Sequence, residues 1–273
     1  LLASIAGKRR IYRFNDLVTN LSLSLLSTLS GLMVMTVTYA AYAYVLKNHA
    51  VTHFETRSAS TWILGFLGYE LCYYWAHRAH HRVAILWASH VVHHSGEDFN
   101  FGLALRQSVT GQLTFWIFFI PLAILGLPLQ VYFSIAFLQL IYQYFIHNEF
   151  VGTLGCLEYF LVTPAQHRLH HGRNLPYIDK NYGSILVVWD RVFGTYVREL
   201  PSGPPVYGVY QQVRSWNPWK INFSEYMSLL WKIAHSSTLT DKVKALFLAP
   251  EWMPVSAATH SEYHNADLAG ASK

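Results

Sequence analysis

Two long stretches of this chain, residues 17–46 and 107–148, contain no Asp, Glu, Lys or Arg. An uncharged apolar run of roughly 20 residues is long enough to cross a bilayer as a helix. Within lipid, only helices and closed barrels satisfy every backbone polar group. The second run is too long for one helix, and Leu125-Gly126-Leu127-Pro128 places a turn near its middle. It reads as a helical hairpin with arms at residues 109–125 and 129–146, the first bent by Pro121. Residues 58–76 add an apolar segment interrupted only by Glu70. The count is then about four transmembrane helices. Composition agrees, with 52% hydrophobic and 13% charged residues, about half the charged share of an ordinary soluble domain. Mean hydropathy is positive for the whole chain, at +0.21. The expected fold class is an all-α integral membrane protein.

Lys8-Arg9-Arg10 and Arg13 precede the first run, which places that end in the cytoplasm under the positive-inside rule. Four spans then return the chain to the same side, so the polar segment after residue 76 and everything beyond residue 147 share the cytoplasmic face. The opening residues 1–7 put apolar residues before the basic ones, the reverse of a signal peptide. Residues 1–16 therefore read as a basic flank or the remnant of an earlier helix, and the chain as a fragment or short isoform. Residues 17–200 form the membrane domain. After a Pro/Gly linker at residues 201–205, amphipathic helices are expected within 201–253, at 224–235 (capped by Ser224) and 241–248. The small, polar residues 254–273 read as a disordered tail.

The net charge of +5 forms no basic stripe or reading motif, which argues against nucleic acid and for lipid headgroups. Cys72 and Cys156 sit in apolar surroundings without framework spacing, which argues against a disulfide-stapled domain.

The chemistry lies in the histidines. His77-x-x-x-His81 projects two imidazoles from one helical face, and His90-x-x-His93-His94 and His167-x-x-His170-His171 repeat the pattern. His147 ends the hairpin's return arm. These nine imidazoles fall on one expected side of the membrane. They are too many for one ion of four to six ligands and suit two, so the cytoplasmic part reads as a helical di-metal domain. His80 faces about 100° away on the same helix and reads as solvent-facing or packing. His49, His53, His235, His260 and His264 fall in loops, an outer helix or the tail. Neutral ligands leave the ions' charge uncompensated, and Glu70, Glu97, Asp98, Glu149, Asp179 and Asp190 are the carboxylates available to offset it or orient the imidazoles. Glu70 stands two helical turns before His77 and is a functional candidate at that depth. Ligand type alone would admit zinc. A site beneath apolar helices suits attack on a lipid tail, and cleaving an unactivated C–H bond needs oxygen activation by iron or a similar redox metal. Trp75, Trp116 and the aromatic residues within 142–145 are candidates to line a lipid route.

The boxes resemble the membrane fatty acid hydroxylase/sterol desaturase superfamily. The residues between them resemble its alkylglycerol monooxygenase family, most clearly in Tyr73-Tyr74-Trp75-Ala76-His77-Arg78, His93-His94-Ser95-Gly96-Glu97-Asp98-Phe99-Asn100, Tyr142-Gln143-Tyr144-Phe145-Ile146-His147 and His167-Arg168-Leu169-His170-His171-Gly172-Arg173-Asn174. The resemblance covers residues 14–254. It implies an endoplasmic-reticulum membrane enzyme with two non-haem irons that uses dioxygen and tetrahydrobiopterin. Its expected substrate is a lipid with an ether-linked alkyl chain, hydroxylated at the ether-linked carbon to give a fatty aldehyde and glycerol. Some members carry a histidine where Gln143 stands, and an amide there is expected to hold a metal-bound water. The acid at position 70 is commonly Asp in relatives, and Glu70 reaches one carbon further. Two other readings stand beside this one. The first is a sterol, fatty acid or sphingolipid oxygenase fed by a b-type cytochrome. The second is an inactive truncated isoform that binds zinc or partners.

Overall fold

The computed structural model describes residues 12–201 and 203–256. The Lys8–Arg10 cluster, the opening residues, and residues 257–273 of the expected tail, with His260 and His264, lie outside them. Every element among the described residues is helical; the only extended pairings are two isolated bridges, Leu161 with Leu186 and Gly172 with Tyr207.

The first uncharged run forms α1, Phe14–His49, about 54 Å long at 1.5 Å per residue. Its buried positions, among them Thr19, Leu23, Ser27, Thr38 and Tyr42, form one stripe. Leu25, Leu29, Leu32 and Met33 are exposed elsewhere on the helix. After the loop, α2 (Ala59–Arg82) carries the second apolar segment through the first histidine box without a break, so Glu70, His77 and His81 share one rigid helix. The single extended residue Val83 separates α2 from α3, Ala84–His94. That tight reversal folds the second box back onto the first. The short α4 (Phe101–Ala104) follows, capped by the Asn100 side chain.

The hairpin's return arm is α7, Leu129–Ile146, close to the span expected. Its first arm is less regular: α5 (Gly111–Phe115), a 3-10 turn (Trp116–Phe119), then α6 (Ile120–Leu125). Pro121 has no N–H to give to a carbonyl one turn back, and the 3-10 turn lies immediately before it. Gly126 ends α6 at φ 94°, and a Cβ there would stand 1.9 Å from the Thr52 carbonyl oxygen. Two helices, α1 and α7, are long and apolar enough to cross a membrane. Both expose large apolar side chains, including Phe137 and Leu138 of α7. This surface suits lipid better than water.

At the end away from the histidines, α1, α2, α6 and α7 pack a core of Tyr42, Tyr69, Phe119, Leu122, Leu127, Val131, Tyr132 and Ile135. At the other end, α8 (Pro164–His170) begins with Pro164 and a capping box formed by Thr163 and Gln166. The short α9, Val188–Val192, follows. The first C-terminal helix starts earlier than expected: α10 is Pro218–Ala234, capped by Asn217 rather than Ser224. Asn217-Pro218 combines a side-chain acceptor with a residue pre-set for the first helical turn, a stronger start signal than Ser224 within the helix. α11, Leu239–Phe247, is capped by Thr238.

Candidate metal centre

The α2–α3 reversal, the end of α7 and the capped start of α8 bring the nine histidines together as two groups. His77, His81, His90, His94 and His170 form one, and His93, His147, His167 and His171 the other. Within each group the facing ligand atoms lie within 4.8 Å of one another. The groups adjoin: the rings of His94 and His171 stack at 4.4 Å, and those of His93 and His171 lie 4.6 Å apart.

Backbone carbonyls only accept, so a ring nitrogen bonded to one must carry the proton. His77 Nδ1 donates to Tyr182 O at 2.9 Å, His170 Nδ1 to Lys180 O at 2.8 Å and His93 Nδ1 to Arg106 O at 3.3 Å. His147 Nδ1 donates to Gln143 O at 2.5 Å. In a neutral ring each of these bonds leaves Nε2 as a lone pair turned inward. His93 and His147 therefore point lone pairs at one another across 3.2 Å. The Nε2 atoms of His77 and His90 stand 3.1 Å apart, and those of His147 and His167 2.9 Å apart. Metal–imidazole bonds of about 2.0–2.1 Å set ligand nitrogens roughly 3 Å apart at right angles. Buried ring nitrogens without any partner include His81 Nε2, His170 Nε2 and both nitrogens of His171. The donor set thus fits two ions with nitrogen ligands.

Burial, and then the neighbouring imidazoles, push the histidines of α3 and α8 well below their usual value. Burial brings His147 down to about 4, against a small opposing effect of its bond to Gln143. Neutral imidazole is the form that binds metal.

The carboxylates divide by location. Asp179 Oδ1 lies 3.7 Å from His81 Nδ1, and Asp179 also pairs with Arg82. Burial alone would raise this carboxyl, but His81 and Arg82 outweigh it and bring it down to about 2. Glu70 does not touch an imidazole: its Oε2 accepts the N–H groups of Ile185 and Leu186 at 2.9 and 2.7 Å. Asp190 accepts from Tyr182 N, Gly183 N and Thr195 Oγ1, each at 2.7 Å. Both acids brace the segment whose Tyr182 carbonyl orients His77. Gln143 joins them, its Nε2 donating to Ser184 O at 2.8 Å, so that amide nitrogen is already engaged. Glu97 and Asp98 turn away from the histidines, because the chain leaves α3 at Ser95 and their carboxylates meet Arg13 at 3.3 and 2.6 Å. Glu149 is exposed, beside Tyr207.

His80 is buried rather than solvent-facing. Its Nδ1 donates to Ala76 O at 2.7 Å and its Nε2 faces Thr114 Oγ1 at 2.9 Å. It belongs to neither group. Sequence reasoning missed Arg106, which is buried and donates to Val92 O, Ser95 Oγ and Asn20 Oδ1 while its own carbonyl orients His93. A lone arginine directly before a charge-free run was the signal available. Sequence reasoning also missed Asn181, at φ 57° after Asp179 at φ 59°. These two left-handed residues turn the Lys180 and Tyr182 carbonyls toward His170 and His77, a conformation Asn and Asp tolerate better than most residues.

A cavity of about 720 Å³ opens against both groups, with His77, His90, His93, His147 and His167 on its rim. Of the aromatic candidates, Tyr144 and Phe145 line it, and Gln143 lines it beside them. Tyr142 instead bonds Val162 O, and Trp75 and Trp116 lie outside the cavity lining.

The fatty acid hydroxylase family model matches residues 62–195, which contain all nine histidines. Alkylglycerol monooxygenase of Danio rerio is 43% identical over 242 residues, covering 89% of this chain and 54% of that protein. The Homo sapiens protein of the same name is 39% identical over the same shares. That of Xenopus tropicalis is 37% identical over 93% of this chain and 56% of its own length. The chain thus spans about half the length of these curated relatives. No solved structure matches it.

Proposed function

The chain belongs to the fatty acid hydroxylase family through residues 62–195, and on that premise we propose that it is the core of a membrane di-iron monooxygenase acting on alkylglycerols. The observation that carries this reading is the meeting of two all-imidazole groups at the rim of one large, partly apolar cavity. The relatives' shared name supplies the substrate class.

In this reading His77, His81, His90, His94 and His170 hold one iron, and His93, His147, His167 and His171 the other. Bound iron supplies the activation of dioxygen that an unactivated C–H bond requires. The chain's own residues do the rest. Carbonyls of Tyr182, Lys180, Arg106 and Gln143 fix the tautomers, so that Nε2 lone pairs face inward. Asp179 offsets charge beside His81. Leu140, Ile141 and Phe145 give the cavity an apolar wall along which an alkyl chain can lie. Hydroxylation of the ether-linked carbon gives a hemiacetal that breaks down to a fatty aldehyde and glycerol, with tetrahydrobiopterin as the reductant.

In the same reading α2 and the 111–125 arm complete four membrane elements of an endoplasmic-reticulum protein, with the histidines on the cytoplasmic side. Iron content measured alongside fatty-aldehyde release from an alkylglycerol, with and without tetrahydrobiopterin, tests the proposal. Pterin-dependent aldehyde release by iron-loaded protein supports it. Iron-loaded protein that turns over a sterol or fatty acid but no alkylglycerol refutes the substrate assignment.

A further inference from the structure

The helix α11 carries its apolar stripe on the outside. Leu239, Val243 and Phe247 follow one another at spacings of four and so share one face. All three are exposed, Leu239 at 78%. The side chain that α11 buries is Ala245, which points about 200° from Val243. A helix on a water-facing surface turns its apolar stripe to the core. Here a small residue faces the core and the large ones face away. Two contacts fix that orientation: Ala84 N–H, at the start of α3, donates to Leu248 O at 3.0 Å, and Lys232 Nζ of α10 donates to Pro250 O at 2.5 Å.

The arrangement recurs on α10. Trp219, Phe223, Met227 and Leu230 form one stripe at spacings of four, four and three, and all four are exposed. Ile221, Asn222, Leu229 and Lys232 are buried on the other side. That side is also held in place: Val109 N–H donates to Asn222 Oδ1 at 3.0 Å, and Tyr226 OH donates to Thr110 Oγ1 at 2.8 Å. Two successive helices thus present apolar stripes that cannot roll inward.

Charge and position select what covers them. Lys242 and Lys244 are exposed and turn about 100° to either side of Val243, so the α11 stripe has an ammonium group along each edge. Lys220 stands beside Trp219 in the same way on α10. An apolar stripe edged by lysines fits the headgroup layer of an anionic leaflet. The start of α10 also adjoins the lipid-facing surface of α1. Thr19 Oγ1 donates to Trp216 O at 3.2 Å, and the Arg13 guanidinium lies 5.4 Å from the Trp216 ring. Val18, Leu21 and Leu25 are exposed in the neighbouring turns of α1. Trp216 and Trp219, both exposed there, are the residue type that favours a membrane–water boundary. We infer that α10 and α11 lie in the surface of an anionic leaflet as a second membrane-binding element beside the spans. Their apolar stripes sink among the acyl chains, and Lys220, Lys242 and Lys244 meet the anionic headgroups. Docking of this kind is independent of the reaction catalysed.

The test uses the iron-loaded full chain in phosphatidylcholine nanodiscs, with Cys72→Ala and Cys156→Ser removing the native thiols. Met227→Cys, Val243→Cys and Phe247→Cys each carry a bimane label in turn, and Leu138→Cys on the exposed face of α7 is the reference for a span. Lipids with a doxyl group near the headgroup end of the acyl chain should quench all three stripe labels, and aqueous iodide should not. Doxyl-labelled phosphatidylserine should half-quench the Phe247→Cys label at a mole fraction about fivefold lower than doxyl-labelled phosphatidylcholine, the preference expected of one engaged lysine. Lys242→Gln/Lys244→Gln should erase that preference and leave the quenching. Stripe labels open to iodide overturn the proposal. Labels shielded from iodide and doxyl lipid alike also overturn it, because residues 257–273 or a second copy then cover the stripes. Equal quenching by the two lipids before the lysines are changed overturns the anionic surface. Quenching at Leu138→Cys alone defeats this inference and keeps the membrane-spanning reading, whereas no quenching at any position defeats both.

Discussion

His93 and His94 are neighbours in the chain yet belong to different histidine groups: His93 faces His147 at 3.2 Å, while His94 faces His90 at 3.2 Å. One helical residue turns the side chain by about 100°, enough to send adjacent imidazoles to adjacent sites. His170 and His171 divide in the same way on α8. Each His-His pair therefore contributes to both groups, and the spacing between the groups is set by the backbone at the ends of two short helices.

Asp179→Asn tests how far a carboxylate beside a ligand matters. The amide keeps the shape but loses the charge that faces His81 and Arg82. Iron affinity, measured by chelator competition, should fall about 10- to 100-fold. An unchanged affinity would mean that Asp179 serves only the surface pair with Arg82.

Glu70→Ala leaves the N–H groups of Ile185 and Leu186 without their acceptor in a buried place. At about 1–3 kcal/mol for each unsatisfied group, the loss of stability should be of order 2–6 kcal/mol. Glu70→Gln retains a carbonyl oxygen and should lose less. Thermal unfolding in detergent checks both, and equal effects of the two substitutions would contradict the account.

Asn181→Ala removes the side chain that bonds Gln166 O and both the N–H and carbonyl of Val197. It also places alanine at φ 57°. A cost of about 1–3 kcal/mol is expected, together with weaker iron binding, since the same turn orients His77 and His170. Asn181→Gly should recover the backbone share alone.

The pH response follows from the histidines. His147 titrates near 6.5 when unfolded and near 4 when buried in the fold. Below pH 6.5 the unfolded chain takes up a proton that the folded, metal-free protein refuses, so stability falls as pH falls. His147 alone accounts for about 2 kcal/mol between pH 6.5 and 5. The other buried imidazoles shift in the same direction. Metal-free protein should therefore melt at a lower temperature at pH 5 than at pH 7.5. A flat profile would show that these rings are not buried neutral.

Sequence periodicity was informative wherever a signal is local. Eight of the nine clustering imidazoles were legible from spacings of three and four, His147 from its place at the end of the return arm, and α7 from an uncharged run that follows a turn. Carboxylate roles were less legible, because they depend on which loop returns to which helix. Glu97 and Asp98 sit close in sequence to a histidine box but pair with Arg13 across more than 80 residues. Glu70, seven residues before His77, acts through a segment more than 100 positions away.

Iron per chain is the most direct test of the central claim that two imidazole groups hold two ions. The purified, reconstituted protein should carry two irons by elemental analysis, and His81→Ala or His167→Ala, each altering one group, should carry about one. A wild-type protein that saturates at a single iron, or variants of both groups that still hold two, would contradict the account.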